Sequence, residues 1–214
     1  MQPSKFYEKI GKSKGYAKLV SENRIPDITK FVTCNTIESK EPICIIANLG
    51  KDVEKCICEF LSNIPCRSDV DEVFQKKYIR GTNLYGFLKL LNSTCDRNPE
   101  KCLRNIKCRE GYGEIDLIYG NILIDIKSYK KFTNTNIKQS FLQTIIYYDA
   151  IKSEINIKYL GVYVPTLNRF YVMKTSDIDP HLTSFVNLYE NEIEIKKESI
   201  SVEIKKKKKK CFIL

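Results

Sequence analysis

Residues Gly113 to Lys127 read Gly-Glu-Ile-Asp-Leu-Ile-Tyr-Gly-Asn-Ile-Leu-Ile-Asp-Ile-Lys. Two apolar, β-branched runs flank Gly120-Asn121, and charge recurs on alternate residues of each. Glycine at the first position of a two-residue turn suits a type II′ hairpin. Tyr119 then faces Ile122, Asp116 lies opposite Asp125, and Glu114 lies opposite Lys127. Side chains alternate with period two, so these four share one face, and Ile115, Leu117, Ile124 and Ile126 point the other way into a core. A one-residue slip would exchange the faces, so the turn length decides the reading.

Directly opposed Cβ atoms in a hairpin are about 4.5–5.5 Å apart. Two carboxylates that close repel unless a cation lies between them or one is protonated. Oxygen-only ligands at that spacing suit Mg²⁺ or Mn²⁺ rather than zinc. A solvated face with a Glu114–Lys127 cross-strand pair accounts for one pair of charges but not for the facing aspartates.

Composition narrows the alternatives. The chain has 214 residues, enough for a sizeable core without covalent staples. Its formal charge is +10; Lys205 to Lys210 carry six of those charges, which leaves +4 for the rest. A mildly basic body permits nucleic-acid binding without requiring it. His181 is the only histidine, which argues against His-based catalysis. The nine cysteines lack zinc-finger spacing, and no secretory leader or membrane-spanning run is evident. Reduced, buried thiols in an intracellular protein, cytoplasmic or nuclear, are expected.

Periodicity predicts a short strand over Ile43–Ala47 and a helix over Asp52–Leu61 with Val53, Cys56 and Phe60 on one face. Asp69–Leu91 reads as helix interrupted near Arg80-Gly81-Thr82. A strand near Leu103–Cys108 precedes the hairpin. A strong helix follows over Asn134–Lys152, with Ile137, Phe141, Ile145 and Tyr148 at helical spacing and Asn134 or Thr135 as cap. Strands over Lys158–Val164 and Arg169–Lys174 flank a Pro165–Asn168 turn, and a last helix is expected over Ile178–Asn191. This order is that of an α/β fold with a mixed sheet and helices packed on it. Residues 1–66 read as an N-terminal extension packed on the core, 67–192 as the main domain, and 193–214 as a charged, disordered tail.

Glu114-Ile115-Asp116 followed by Asp125-Ile126-Lys127 resembles the signature of the PD-(D/E)xK nuclease superfamily. Gln143-Thr-Ile-Ile-Tyr147, on the next helix, resembles the Gln-x-x-x-Tyr motif of its RecB-like branch. Residues four apart share a helix face, so Gln143 and Tyr147 would both look toward the hairpin. The resemblance spans about residues 70–175. It implies a restriction-endonuclease-like mixed central sheet flanked by helices. It implies a Mg²⁺- or Mn²⁺-dependent nuclease acting on DNA, in repair, recombination or replication. Asp116, Asp125 and the Ile126 backbone carbonyl would hold the metal. Lys127 would orient the attacking water and stabilise developing charge. Glu114 would add a ligand or position Lys127; Gln143 and Tyr147 would contact the nucleic-acid backbone or hold Lys127. Tyr112, Lys130 and Lys131 flank the site, within reach of phosphates.

The branch also carries an upstream helix of the form Gly-Thr-x-x-His-x-x-x-Glu. Gly81-Thr82-Asn83-Leu84-Tyr85-Gly86-Phe87-Leu88-Lys89 matches it in frame, with Tyr85 at the histidine position and Lys89 at the acidic one. Glu72 is the alternative upstream acid for the metal. These departures favour a second reading, a catalytically silent nuclease-fold protein that binds DNA or a partner. Finally, six lysines and Cys211-Phe-Ile-Leu form a Cys-aliphatic-aliphatic-X pattern, which makes Cys211 a geranylgeranylation candidate and a membrane surface a second partner. Lysine runs equally serve nuclear import or nucleic-acid binding.

Overall fold

The structure, a computed structural model, describes residues 18, 20–23, 26–46, 51–62, 67–95, 102–107, 114–180 and 182. The chain divides into two units, Met1–Ile178 and Asp179–Leu214. The expected helix over Ile178–Asn191, Tyr112, His181 and the tail with Cys211 lie almost wholly or wholly outside the described residues.

The hairpin forms in the expected register from the turn as far as Leu117–Ile124, where the ladder ends; the expected Asp116–Asp125 and Glu114–Lys127 positions lie beyond its last pair. Strands β5 (Glu114–Tyr119) and β6 (Ile122–Ile126) pair Tyr119 with Ile122, Ile118 with Leu123 and Leu117 with Ile124. Gly120 alone in the turn has positive φ, +59°, the type II′ pattern that glycine adopts without strain. Six strands build the main sheet in the order β1-β8-β7-β6-β5-β4. Here β1 is Thr33–Thr36, β4 Cys102–Lys107, β7 Tyr159–Val164 and β8 Arg169–Lys174. Only β6 and β7 run parallel; the other pairs are antiparallel. A parallel neighbour requires a crossover, and helix α4 (Asn134–Ile151) supplies it. The fold is thus a mixed α/β sheet flanked by helices, as the element order implied. A separate two-stranded sheet pairs β2 (Cys44–Ile45) with β3 (Ile79–Arg80).

Both sheet faces are covered. Leu117, Tyr119, Ile122, Ile124 and Ile126 pack with Tyr163 and Phe170 against helices α1 (Lys51–Ser62), α2 (Arg67–Lys77) and α3 (Leu84–Thr94). Phe87 of α3 stacks on Tyr163 at 3.7 Å between ring centroids. On the other face, α4 packs on β6 and β7. Ile118 and Leu123, which share that face with the aspartates, are fully buried. The aspartate face is therefore polar only at its open end.

Two local signals were misplaced. Thr133, not Asn134 or Thr135, caps α4: its hydroxyl accepts the Asn136 N–H, and the Asn136 side chain accepts the Thr133 N–H at 2.9 Å. This is a capping box with asparagine in the position usually held by Glu or Gln. Strand β1, Thr-Cys-Asn-Thr, lies inside the expected N-terminal extension yet forms an edge of the main sheet against β8. Its residues have no apolar alternation because an edge strand is held by its backbone hydrogen bonds.

The β7–β8 connection ends on Asn168, which adopts the left-handed conformation at φ +46° and is buried. Its side chain donates to the Gly81 carbonyl at 2.8 Å and accepts the Asn83 N–H at 3.2 Å. Asn168→Ala removes both bonds, strands two backbone groups and places alanine in an unfavourable conformation, so about 3 kcal/mol of stability should be lost. A urea midpoint that moves by less than a third of that amount would contradict this role for Asn168.

Candidate active site

Asp116 leaves the middle of β5 and Asp125 the end of β6, both toward α4. Asp125 is 3% exposed and Asp116 half-buried. The Asp116 Oδ2 accepts the Ile126 N–H at 2.7 Å, so this carboxylate takes the place of a backbone partner where the hairpin opens. Lys127, just past β6, donates to the Asp125 Oδ1 at 2.9 Å and to the Gln143 Oε1 at 3.0 Å. The Gln143 amide donates in turn to the Tyr147 hydroxyl at 2.7 Å. Gln143 and Tyr147 are one helical turn apart on α4, which explains why both meet the hairpin end.

Asp125, Lys127, Gln143 and Tyr147 are thus joined in one hydrogen-bonded chain, and Asp116, bonded to the Ile126 N–H, lies within electrostatic reach of Asp125 and Lys127. Tyr147 is buried and holds Gln143, and Gln143 in turn holds Lys127. Glu114 is exposed at the start of β5, and Lys127 turns to Asp125 and Gln143 instead of to it. Lys130 is exposed on the loop that follows Lys127. Tyr85 packs edge-on against Phe60 at 5.1 Å, outside the network.

Glu72 is corrected. It is exposed on α2 in an i,i+4 pair with Lys76, and no charge interaction ties it to the aspartates. The third carboxylate at the aspartates is Glu54 of α1. Cys58, one turn later on the same helix face, donates its thiol to the Asp116 carbonyl at 3.6 Å, which docks α1 on β5. Glu54 then lies within electrostatic reach of Lys127, Asp125 and Glu114, whose charges act on it, and of Asp116, whose carboxyl it pushes up. Its sequence signal was faint. Glu54 borders the buried stripe of Val53, Ile57 and Leu61, a place where an ordinary solvated glutamate also sits.

The electrostatics follow from burial. Desolvation, then Asp125 and Glu54, push the Asp116 carboxyl well above the usual range. Desolvation also raises Asp125, against the opposing pull of Lys127. Glu54 is raised by burial, with Lys127 opposing. For Lys127, burial alone would lower the pKa, but Asp125 and Asp116 hold it above the ordinary lysine range. Burial pushes the Tyr147 hydroxyl up to about 12. One fixed cation therefore faces three partly buried carboxylates.

Such a site fits a divalent cation. The Asp125 Oδ2 is buried and has no hydrogen-bond partner. That oxygen, an Asp116 carboxylate and a nearby backbone carbonyl are hard donors of the kind Mg²⁺ and Mn²⁺ prefer. Among the described residues, no group of three or more carboxylate, thiol or imidazole side chains stands ready as a cage. Mg²⁺ commonly uses one or two carboxylates and completes its shell with water and phosphate, so two aspartates suffice. Cys34, Cys44, Cys56, Cys58 and Cys95 are free thiols. Cys34 and Cys44 are exposed, contrary to the expectation of buried thiols throughout; both lie on short strands that bury little of their side chains. Among the described residues no helix is long and apolar enough to cross a membrane. No family model, curated protein or solved structure matches this chain.

A pH-dependent result follows. With raised pKa values, the folded carboxyls keep protons that the unfolded chain releases above about pH 4. The folded state then binds more protons, so metal-free stability falls as pH rises through the folded-state values. A bound cation replaces those protons. Mg²⁺ should therefore raise the melting temperature by a few degrees, and more at about pH 8 than at about pH 5.5. An equal increment at both pH values would contradict this linkage.

Proposed function

We propose that this chain is a metal-dependent nuclease that hydrolyses DNA phosphodiester bonds. The observation that carries the reading is the Asp125 carboxylate. It is buried, with one oxygen on Lys127 and the other without a partner, beside a second aspartate and Glu54. The likeness of the Glu-Ile-Asp, Asp-Ile-Lys and Gln-x-x-x-Tyr segments to RecB-like nucleases supports phosphodiester hydrolysis and DNA as substrate.

Asp116, Asp125 and the Ile126 carbonyl would hold Mg²⁺, with Glu54 reaching it directly or through water. When bound, the ion supplies a Lewis acid for the phosphate and acidifies a water. Lys127 stays protonated across the physiological range, so it serves as a hydrogen-bond donor to the attacking water and the developing negative charge, not as a base. Gln143 fixes the Lys127 amine, and Tyr147 fixes Gln143. The Ile126 N–H holds Asp116 and Lys127 holds Asp125 before substrate arrives, so little reorganisation would accompany reaction.

The second reading, a silent nuclease fold that binds DNA or a partner, is favoured by Tyr85 and Lys89 in the upstream helix. Incubation with single-stranded, duplex and branched DNA, with Mg²⁺ and Mn²⁺, separates the two when Lys127→Ala is run alongside. Cleavage by the wild type that is lost in the variant supports the nuclease. Absence of cleavage on all substrates with both metals, with binding intact, supports the silent fold.

A further inference from the structure

Between Lys127 and the cap of α4 the chain reads Ser-Tyr-Lys-Lys-Phe. The ring of Tyr129 is 41% exposed. It lies 5.9 Å from Phe132 at an interplanar angle of 28°, and Phe132 rests on Tyr171 at 5.0 Å. The Thr166 hydroxyl donates to the Tyr129 carbonyl, which pins the loop to the β7–β8 connection.

Sheet register places this cluster relative to the aspartates. Asp125 pairs with Val162, and Val162 pairs with Tyr171. Paired residues share a face, so Tyr171 lies on the aspartate face two strands away, roughly 10 Å. Arg169 shares that face, is exposed, and lies close enough to the Tyr171 hydroxyl for the two to influence each other electrostatically. Lys130 and Lys131 are exposed beside Tyr129. None of these three cations is ion-paired with a described carboxylate. The Tyr129 phenol is near enough to Lys127 to enter its charge environment.

An aromatic ladder edged by exposed cations matches the chemistry of an unstacked polynucleotide: bases present π-faces and phosphates present negative charge. A duplex keeps its bases stacked on one another and offers no face to Tyr129. We propose that Tyr129 and Phe132 are a stacking platform for the bases of a single strand, with Lys130, Lys131 and Arg169 on its phosphates. The platform lies beside Lys127 and so feeds a single strand to the Asp116–Asp125 site. Its role as a substrate platform rests on the nuclease reading; its binding of single strands does not.

The test uses the full chain in EDTA, where no cleavage can occur. Fluorescence anisotropy reads the affinity for a mixed-sequence single-stranded DNA, its duplex and the same sequence as RNA. The emission of 2-aminopurine in the single strand reports stacking. Tyr129→Leu keeps the apolar volume and removes the ring. It should weaken single-strand binding about tenfold, change duplex binding no more than about twofold, and relieve the 2-aminopurine quenching. Equal losses on single-stranded RNA and DNA uphold stacking, since both sugars present the same base faces. Unchanged single-strand affinity in a folded Tyr129→Leu protein, or an equal loss on duplex, overturns the proposal. Tyr129→Trp guards against a folding defect: it should retain or tighten single-strand binding, and a loss there overturns the proposal as well. If the protein never cleaves DNA yet shows this dependence on Tyr129, the nuclease reading falls and the platform stands.

Discussion

Asp125→Asn should abolish divalent-dependent DNA cleavage, by about a thousandfold or more, and leave the fold intact. The substitution keeps shape and removes charge. An amide in that position is a poor ligand, and about 4 kcal/mol of transition-state stabilisation corresponds to the thousandfold loss. The fold should tolerate it because the buried carboxylate is costly to begin with: its pKa is raised by desolvation, and one oxygen lacks a partner. Lys127 keeps Gln143 and an amide oxygen as acceptors and loses only the charge of its partner. The melting temperature without metal should change little, whereas the increment that Mg²⁺ adds should vanish. Single-turnover cleavage and melts with and without Mg²⁺ check both halves. Undiminished cleavage by Asp125→Asn would remove the metal site from the account.

Lys127→Met should be equally inactive with the opposite stability profile. Lys127 is the fixed cation among Asp125, Asp116 and Glu54. Without it, the carboxylates face one another uncompensated, and breaking a buried pair costs about 3 kcal/mol. The cost should appear at about pH 8 and shrink at about pH 5, where the aspartates take up protons instead. Mg²⁺ should restore much of the lost stability, because a divalent ion replaces the missing charge without supplying the hydrogen bond that Lys127 gives the water. Denaturant titrations at the two pH values, with and without Mg²⁺, measure this. A variant destabilised equally at both would show that Lys127 acts by packing alone.

The two variants therefore separate binding from chemistry: one loses the metal, the other keeps it, and neither cuts DNA. On this reading Gln143 and Tyr147 would act one step further out, Gln143 through the Lys127 amine that it holds and Tyr147 through Gln143.

What the sequence disclosed about this site depended on range of interaction. The Gly120-Asn121 turn fixes the hairpin register locally, so the pairs up to Leu117–Ile124, and with them the shared face of Asp116 and Asp125 just beyond, could be placed from spacing alone. Gln143 and Tyr147 were legible because a turn of helix puts them on one face. Glu54 was not, because its approach depends on α1 docking through Cys58, a contact between residues 58 positions apart in sequence. Glu72 looked equivalent in one dimension and lies in solvent in three. Strand β1 escaped for a related reason: Thr-Cys-Asn-Thr becomes a strand only because β8 offers it an edge, and that edge is 135 residues away at the Asn35–Phe170 pair. Tyr171 likewise joins Tyr129 and Phe132 only through the order β6-β7-β8.

The most direct measurement is Mn²⁺ binding followed by electron paramagnetic resonance on wild type, Asp125→Asn and Lys127→Met, with Mg²⁺ as competitor. The account predicts that wild type binds Mn²⁺ and releases it to Mg²⁺, that Asp125→Asn does not bind it, and that Lys127→Met binds it at least as well as wild type. Binding by Asp125→Asn equal to that of wild type, or none by wild type, would contradict a metal centre at the end of this hairpin.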